Sequence, residues 1–206
     1  MMYTLKAQKL SKRFGSRKVF TDIEFELRSG QSLAVVGPNG SGKSTLLRVL
    51  LMLWSATKGE VNYHCDGQPM DEPAIRSQTS FVAPYLNLYD HLTAEENLKF
   101  FATVAGDRIT GKEVNHLLDR VGLEGRGADF VEGYSSGMKQ RLKYAVALIN
   151  EPGFLFLDEP TSNLDEDGKK IVTEVIEEYR KSCIIIIATN EQQEYALAEG
   201  ICRLGG

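Results

Sequence analysis

The chain has 206 residues, of which 42% are hydrophobic and 25% are charged. These proportions are ordinary for a globular protein and exclude disordered and fibrous classes, and the length predicts one domain. The 24 lysines and arginines are outnumbered by 28 acidic residues, so the net charge is −4. A protein that binds nucleic acid normally presents a basic surface, so we expect no nucleic-acid partner.

Three features of the sequence predict a soluble protein of a reducing compartment, the cytoplasm. The longest apolar run, 184–188, has the length of a buried strand, whereas a membrane-spanning helix needs roughly 20 apolar residues. The first residues lack the apolar core and cleavage site of a secretory signal. The three cysteines form neither an even set nor a metal-binding spacing.

The first part of the chain combines strand patterns with one strong helix pattern. Segments 5–10 and 25–27 alternate apolar with polar residues, which predicts a half-exposed antiparallel sheet. Segment 33–36 is a short apolar run that predicts a buried strand and ends at a glycine. Leucines and valines at helical spacing over 42–53 then predict a helix, so this part has the order strand, glycine loop, helix.

The middle of the chain, 84–150, carries helix patterns and hardly any strand pattern. Thr93 and Thr110 are each followed three residues later by a glutamate, which is the capping-box pattern of a helix start. A third helix is predicted over 136–149, because Pro152 follows the pattern and would end it.

The last part of the chain returns to strands. Segments 154–157 and 183–187 are continuous apolar runs, as expected of central strands covered on both faces. Between them, apolar residues at helical spacing predict a helix over 168–179. Alternating strands and helices of this kind predict an α/β fold with a mostly parallel sheet.

The segment GPNGSGKST, between the strand at 33–36 and the helix after it, matches the phosphate-binding pattern G-x-x-x-x-G-K-[ST]. Its glycines let backbone N–H groups converge on phosphate oxygens, and the helix adds its positive N-terminal end. Lys43 is expected to reach the β- and γ-phosphates, and the Ser44 hydroxyl to ligate Mg²⁺. The candidate nucleotide-binding residues of this segment are Gly37, Pro38, Asn39, Gly40, Ser41, Gly42, Lys43, Ser44 and Thr45.

These segments together predict a P-loop NTPase core, in which a mostly parallel sheet is flanked by helices. An N-terminal antiparallel β subdomain and an inserted helical subdomain complete the predicted fold. We expect a single domain over 1–206. Its nucleotide-binding core, which includes the antiparallel part, comprises 1–83 and 151–206, and the helical subdomain comprises 84–150.

Two acids, Asp158 and Glu159, follow the apolar run at 154–157. This places carboxylates at the C-terminal edge of a buried strand, where α/β sheets bind ligands. Asp158 is suited to hold Mg²⁺ through water, and Glu159 to polarise an attacking water as general base, so Glu159 and Lys43 are candidate catalytic residues. Taken alone, the pair has an alternative interpretation as a strand that ends in solvated acids.

Residues 134–141 (YSSGMKQR) resemble the LSGGQ-type signature of the ATP-binding-cassette (ABC) ATPases. The segment SKRFG near the start is similar to the family's adenine-stacking segment, with Phe14 in the stacking position, and 162–165 is similar to its D-loop. With the phosphate loop and the acids, these motifs occur in the family's order over essentially the whole chain. The sequence therefore resembles the compact, single-cassette ATP-binding subunit of an ABC transporter.

The resemblance implies a composite site. In this family two chains dimerise head to tail, and each ATP lies between the phosphate loop of one chain and the signature of the other. Ser135 and the N–H of Gly137 would then contact the γ-phosphate across the interface, and Asp165 would help to align the partner's site. For Ser135 alone, a plain helix cap is the alternative.

The resemblance also implies an activity and partners. ATP and Mg²⁺ would be the cofactors, and ATP hydrolysis would drive transport through separate transmembrane permease subunits at the inner face of the cell membrane. The second ATPase chain would form a homodimer or a heterodimer with this one. The alternatives are an ATP-dependent dimerising switch that regulates a partner with little hydrolysis, and a soluble translation or repair ATPase, which the acidic composition disfavours.

Three positions depart from the family's pattern. The Q-loop glutamine falls at Pro84, or one register away at Ala83, and neither side chain can ligate a metal or hold a water. The switch histidine falls at Asn190, a candidate catalytic residue whose amide can donate a hydrogen bond but cannot shuttle a proton. Ser136 replaces the first glycine of the signature. We therefore expect a slow ATPase, and the alternative is a site that binds ATP but scarcely hydrolyses it.

The apolar and aromatic residues after the Q-loop position have two interpretations. They belong to the core of the helical subdomain, or they line a groove that receives a short helix from a membrane subunit, as the resemblance implies. These residues are Tyr85, Leu86, Leu88 and Tyr89.

Overall fold

The computed structural model describes residues 1–205, which form two β-sheets and seven α-helices. The strands are β1 (Tyr3–Phe14), β2 (Arg17–Arg28), β3 (Ser32–Val36), β4 (Lys58–Cys65), β5 (Gln68–Pro69), β6 (Thr79–Val82), β7 (Phe154–Asp158), β8 (Ile184–Thr189) and β9 (Gly200–Arg203). The α-helices are α1 (Lys43–Leu50), α2 (Glu72–Ser77), α3 (Ala94–Val104), α4 (Gly111–Arg120), α5 (Ser136–Ala147), α6 (Glu166–Tyr179) and α7 (Gln192–Tyr195). A 3₁₀ turn, Val131–Gly133, precedes α5.

The central sheet has five strands in the order β6-β7-β8-β3-β9, and all neighbouring strands in it run parallel. Every residue of β3, β7 and β8 is buried, as their unbroken apolar sequences predict. The predicted parallel sheet is confirmed. Because parallel strands end at the same edge, the residues that follow β3, β7 and β8 meet there, and this edge holds the candidate site.

The second sheet is antiparallel, in the order β2-β1-β4-β5. Along β1 buried residues alternate with partly exposed ones, so Tyr3, Leu5 and Ala7 face the core. Lys9 has a left-handed backbone (φ 48°), and the pairing of β1 with both neighbours shifts there. This bulge allows Leu10 to be buried as well. The predicted half-exposed antiparallel sheet is confirmed, with longer strands than predicted.

Two helices begin where the sequence predicts. Thr93 caps α3 and Thr110 caps α4, and each forms a reciprocal capping box with the glutamate three residues later. Both predicted capping boxes are confirmed. Helix α6 begins at Glu166 and not at residue 168, because the carboxylate of Asp165 caps it by accepting a hydrogen bond from the N–H of Gly168.

Two helices end earlier than predicted. Helix α1 ends at Leu50, although its apolar pattern continues to Leu53. Met52 has a left-handed backbone (φ 56°) and Leu53 is 63% exposed, so the end of that apolar run leaves the core. Helix α5 ends at Ala147 and not at residue 149. Apolar spacing marks which face of a helix is buried more reliably than it marks the last residue.

Two apolar cores lie on opposite faces of the central sheet. Phe154 and Phe156 of β7 pack with α1 and the antiparallel sheet, whereas Leu155 and Leu157 pack with α3, α4, α5 and α6. Segment 84–150 therefore adds helices to one face of the sheet, as expected of an inserted helical part. Its limits as a subdomain stay a prediction. None of the helices within residues 1–205 has the length and apolarity needed to cross a bilayer.

Candidate functional site

The phosphate loop joins the end of β3 to the start of α1 and requires glycine at two places. At Gly37, an added Cβ would lie 2.5 Å from the carbonyl oxygen of Leu204 and 2.6 Å from the hydroxyl of Ser41. At Gly42, which has φ 103°, it would lie 2.3 Å from a methyl group of Val19. Both positions admit only glycine without rearrangement of the backbone or of Val19.

Lys43 is the first residue of α1 and is only 6% exposed. Its ammonium donates to the carbonyl oxygens of Gly37 (2.8 Å) and Pro38 (3.3 Å), so it spans the loop from inside. Gly42 offers α1 no side-chain cap, which leaves the N–H groups of the first turn free for an anion. The buried hydroxyl of Ser41 has no hydrogen-bond partner within residues 1–205. These unused donors and the buried cation suit phosphate oxygens.

A cleft of about 460 Å³ opens beside this loop. It brings together residues that the sequence analysis proposed separately, namely Phe14, Asn39, Gly40, Gly42, Lys43, Ser44, Thr45 and Glu159. It also contains Arg17 and Val19 of β2, which the sequence analysis missed. The β1–β2 hairpin places Arg17 and Val19 beside Phe14, and Val19 packs on Gly42. Their position in the sequence, just after the aromatic segment, could have indicated that they belong to the site.

Phe14 is 48% exposed at the mouth of this cleft. The edge of its ring meets Trp54 with centroids 5.5 Å apart, and the ammonium of Lys12 lies 4.9 Å from its centroid. An aromatic face is therefore available at the cleft for a nucleobase. Its stacking on adenine stays a prediction.

Asp158 ends β7 and is 2% exposed. Its Oδ2 accepts a hydrogen bond of 3.1 Å from the hydroxyl of Tyr85. Burial raises the pKa of Tyr85, and the charge of Asp158 raises it further against the opposing effect of Arg48, so the phenol is protonated and donates. No local pattern in the sequence relates Tyr85 to Asp158, because the two residues are 73 positions apart.

Glu159 follows with a left-handed backbone, φ 49°. Such a conformation costs a non-glycine residue about 1–3 kcal/mol, so its surroundings must hold it. Its N–H donates to the carbonyl of Ala188 at 2.8 Å. The next residues are held by two side chains that the sequence analysis missed: Glu194 accepts from the N–H and the hydroxyl of Thr161, and Tyr144 donates to the carbonyl of Pro160.

Asn190 directly follows β8 and is exposed. Its backbone carbonyl accepts from the hydroxyl of Tyr195 at 3.2 Å, and its side chain has no hydrogen-bond partner within residues 1–205. Asn190 and Glu159 line a second cleft of about 430 Å³. Because Glu159 also lines the cleft that holds Lys43, it lies between the phosphate loop and Asn190. Gly37 and Pro38 line a further cleft together with Asn190.

The signature residues lie apart from Lys43 within one chain. Ser135 caps α5, and its hydroxyl accepts from the N–H of Met138 at 3.2 Å, so the plain helix cap is present. Gly137 lies against segment 162–165, because an added Cβ would be 3.4 Å from the carbonyl of Asn163. Asp165 caps α6. None of these residues lines the cleft that contains Lys43, and their action on a second chain stays a prediction.

A side chain of α5 binds the backbone of the segment after β6. The ammonium of Lys143 donates to the carbonyls of Ala83 and Pro84, and burial together with Lys139 lowers its pKa. Pro84 thus contributes a backbone oxygen to this contact, and its side chain has no donor or acceptor. The residues that follow diverge: Leu88 packs into the core, whereas Tyr89, 48% exposed, meets Phe100 at 4.7 Å.

The donor set around the cleft suits a magnesium ion that arrives with a nucleotide. Within residues 1–205 there is no group of three or more His, Cys, Asp or Glu that could hold a metal ion. Mg²⁺ commonly uses one or two protein oxygens, several waters and the phosphates of its substrate. Asp158 and Ser44 offer two such oxygens at the edge of the sheet.

The fold and the phosphate loop define a P-loop nucleotide-binding protein. Comparison with known proteins then gives its family, because the family model described as "ABC transporter" matches residues 20–162. The chain belongs to this family, in which it is an ATP-binding subunit with the fold of an ABC ATPase.

Two relatives illustrate the similarity. The lantibiotic transport ATP-binding protein SrtF of Streptococcus pyogenes is 34% identical over 186 residues, which cover 90% of this chain and 79% of SrtF. The Nod factor export ATP-binding protein I of Cupriavidus pinatubonensis is 32% identical over 206 residues, which cover 98% of this chain and 63% of that protein. The chain thus spans under two thirds of the second relative.

Solved structures agree with the sequence comparison. The ATP-binding cassette MJ0796, a dimer in a post-hydrolysis state bound to ADP and Pi, has a TM-score of 0.83 at 25% identity, with 97% of this chain and 94% of that chain covered. An ATP-binding subunit of an ABC transporter has a TM-score of 0.84 at 26% identity, with 97% and 85% covered.

Proposed function

We propose that this chain binds ATP and Mg²⁺ in the cleft beside Lys43 and hydrolyses the ATP slowly, to drive transport through separate transmembrane permease subunits. The observation that carries this proposal is the buried ammonium of Lys43. It spans the loop at the uncapped N-terminus of α1, in a cleft that Glu159 also lines. A buried cation among free N–H donors is arranged for a polyanion.

In the proposed complex the loop holds the phosphates and the hairpin holds the base. N–H groups of the loop and the ammonium of Lys43 contact the β- and γ-phosphates, while Phe14 stacks on adenine. Arg17, on the same cleft, contributes a second cation. Ser44 and Asp158 would hold the Mg²⁺, which when bound would neutralise the charge that develops on the phosphates.

Hydrolysis requires an oriented water and stabilised charge. Glu159 accepts a proton from the attacking water. The oxygen of this water bonds to the γ-phosphorus while the bond between that phosphorus and the β–γ bridging oxygen breaks, which yields ADP and phosphate. Asn190 donates a hydrogen bond to the γ-phosphate without carrying charge. Pro84 offers no side-chain contact, so turnover is expected at or below the low end of the typical enzyme range of about 1–1000 per second.

The signature acts in trans in this proposal. Within one chain Ser135 and Gly137 do not reach the cleft of Lys43, so a second copy or a second ATPase subunit has to present its own signature there. The similarity to a dimeric cassette bound to ADP and Pi supports a dimer. We propose that its two chains are arranged head to tail, as a homodimer or heterodimer. Asp165 follows segment 162–164, against which Gly137 lies, and would align the partner's site.

The permease partners place the chain at the inner face of the cell membrane. The names of the relatives describe ATP-binding proteins of lantibiotic transport and Nod factor export, and this chain has no helix within residues 1–205 that could cross a bilayer. Tyr89 and Phe100 form an exposed aromatic pair on the helical part, which suits a short helix of a membrane subunit.

Calorimetric titration with Mg-ATP tests the nucleotide site. Lys43→Ala should weaken binding strongly, because it removes the cation that spans the loop. Lys181→Ala, which removes an exposed lysine far from the loop, is the matched control and should bind like the wild type. Equal affinities for the wild type and Lys43→Ala would contradict the assignment of the site.

One observation favours a second candidate function, an ATP-dependent dimerising switch that regulates a partner with little hydrolysis. Pro84 has no side-chain group that could ligate a metal, and the side chain of Asn190 carries no charge. The phosphate loop and Glu159 are nevertheless in place. A wild-type chain that dimerises with Mg-ATP but releases no phosphate would support the switch over the transporter subunit.

A further inference from the structure

The phenol of Tyr85 reaches Asp158 because two strands end side by side. Strand β6 pairs with β7 in parallel, with Val82 opposite Leu157. The chain that leaves β6 therefore passes the end of β7, and three residues beyond Val82 the hydroxyl of Tyr85 donates to Oδ2 of Asp158 at 3.1 Å. The other oxygen, Oδ1, accepts no hydrogen bond from residues 1–205. One oxygen of a buried carboxylate is thus held, and the other is left for a ligand.

The Tyr85 ring is itself fixed from several sides. The guanidinium of Arg48 lies 5.0 Å from its centroid, and the same guanidinium lies 4.8 Å from the ring of Trp54. Phe81 meets the ring edge at 6.2 Å. The ammonium of Lys143 donates to the carbonyl of Pro84, the residue before Tyr85. Tyr85 is 46% exposed, yet its hydroxyl has a defined position.

We propose that Tyr85 is a positioning residue that orients the carboxylate of Asp158 toward the metal–nucleotide complex. The inference rests on the proposed function, since it requires that Asp158 holds Mg²⁺. A carboxylate held by a hydrogen bond to one oxygen presents its other oxygen in one direction, and loss of such an outer-shell partner typically lowers metal affinity 10–100-fold. Tyr85 thereby supplies the polar contact that Pro84, one residue earlier, lacks.

The test compares ADP binding with and without Mg²⁺ by calorimetry, in the wild type and in Tyr85→Phe. This substitution removes the hydroxyl and keeps the ring against Arg48, so the fold is retained and thermal unfolding checks this. In EDTA the two proteins should bind ADP equally. With Mg²⁺ the variant should bind ADP about tenfold more weakly, and should need about tenfold more Mg²⁺ for half-maximal enhancement.

Tyr3→Phe is the matched control. It also removes one hydroxyl, which donates to Gln78 at 2.7 Å beside the opposite, N-terminal end of β6. The control should match the wild type with and without Mg²⁺. The single tryptophan, Trp54, provides a second readout, because its fluorescence should respond to Mg-ADP through Arg48 and Phe14.

Three results would overturn the proposal. An equal loss of ADP affinity with and without Mg²⁺ would make Tyr85 merely structural. Unchanged affinities would mean that the contact has no part in metal binding, and tighter Mg²⁺ binding would mean that the phenol competes with the metal for Asp158. Failure of the proposed function looks different, because the wild type itself would then bind no ADP or show no effect of Mg²⁺.

Discussion

Replacing Glu194 by alanine removes the acceptor that holds Thr161 two residues after the strained backbone of Glu159. Glu194 is 4% exposed, and its Oε1 accepts from the N–H of Thr161 at 3.0 Å and from its hydroxyl. Hydrogen bonds to a charged group are worth about 1.5–3 kcal/mol each. The cost of burying the carboxylate, whose Oε2 has no partner within residues 1–205, offsets part of the stabilisation by these two hydrogen bonds. The net stabilisation by Glu194 is about 2 kcal/mol.

The strain at Glu159 determines where this loss is observed. Without its anchor the turn can relax toward an ordinary backbone, since the conformation at φ 49° itself costs about 1–3 kcal/mol. Glu159 would then leave the position from which it polarises water. A loss of about 2 kcal/mol in transition-state stabilisation lowers kcat about 30-fold. The phosphate loop is anchored separately through Lys43, so KM for ATP should change less than about threefold.

Steady-state phosphate release at saturating Mg-ATP measures this effect, well below the temperature of unfolding. Glu194→Gln is the matched control, because it keeps an oxygen acceptor for Thr161 and should retain kcat within about threefold. Two results would contradict a role of Glu194 in holding Glu159 in place. Either kcat of Glu194→Ala stays within twofold of the wild type, or Glu194→Gln falls as far as the alanine variant, which would make the charge and not the acceptor responsible.

Three further changes have defined outcomes. Glu159→Gln removes the general base but leaves the phosphate loop, so Mg-ATP should accumulate dimers in sedimentation velocity; a variant that stays monomeric at saturating ATP would count against the composite site. Asn190→His introduces a donor that can carry charge near pH 7, so turnover should rise. An unchanged or lower rate would instead identify Asn190 as an adapted part of a working site. Burial raises the pKa of the Cys183 thiol from 9.0 to about 12. As the pH rises, the Cys183 thiol therefore ionises in the unfolded chain before it ionises in the folded chain. The contribution of the buried thiol to the free energy of unfolding is complete below pH 9 and is lost toward pH 12 at about 1.4 kcal/mol per pH unit. Cys183→Ala should flatten the alkaline limb of a denaturation series, and an unchanged slope would be evidence against this burial.

Local patterns predicted much of the fold because their physical causes lie within a few residues. The capping boxes at Thr93 and Thr110 satisfy backbone groups three positions away, and both appear as predicted. The apolar runs at 154–157 and 184–187 lie in buried strands, as expected of a sheet that is covered on both faces. The pattern of the phosphate loop also marks its glycines, although the contacts that require Gly37 and Gly42 come from the distant residues Leu204 and Val19.

The site depends on contacts between distant segments, and these could not be predicted. Tyr85 and Asp158 are 73 residues apart, and Thr161 and Glu194 are 33 apart. Each pair meets because strands that are distant in sequence end at one edge of the sheet. No periodicity distinguishes Glu194 from the other acids near it, and Tyr85 looked like a core or groove residue until the register of β6 against β7 placed it.

Phosphate release from the purified chain, with and without Glu159→Gln, decides whether this chain hydrolyses ATP with Glu159 as general base. We expect slow release by the wild type with Mg-ATP, at or below about 1 per second, and no release above background by Glu159→Gln under the same conditions. Equal release by the two proteins would contradict the assignment of Glu159 as general base. A wild type that binds ATP and releases no phosphate would contradict the hydrolytic account as a whole.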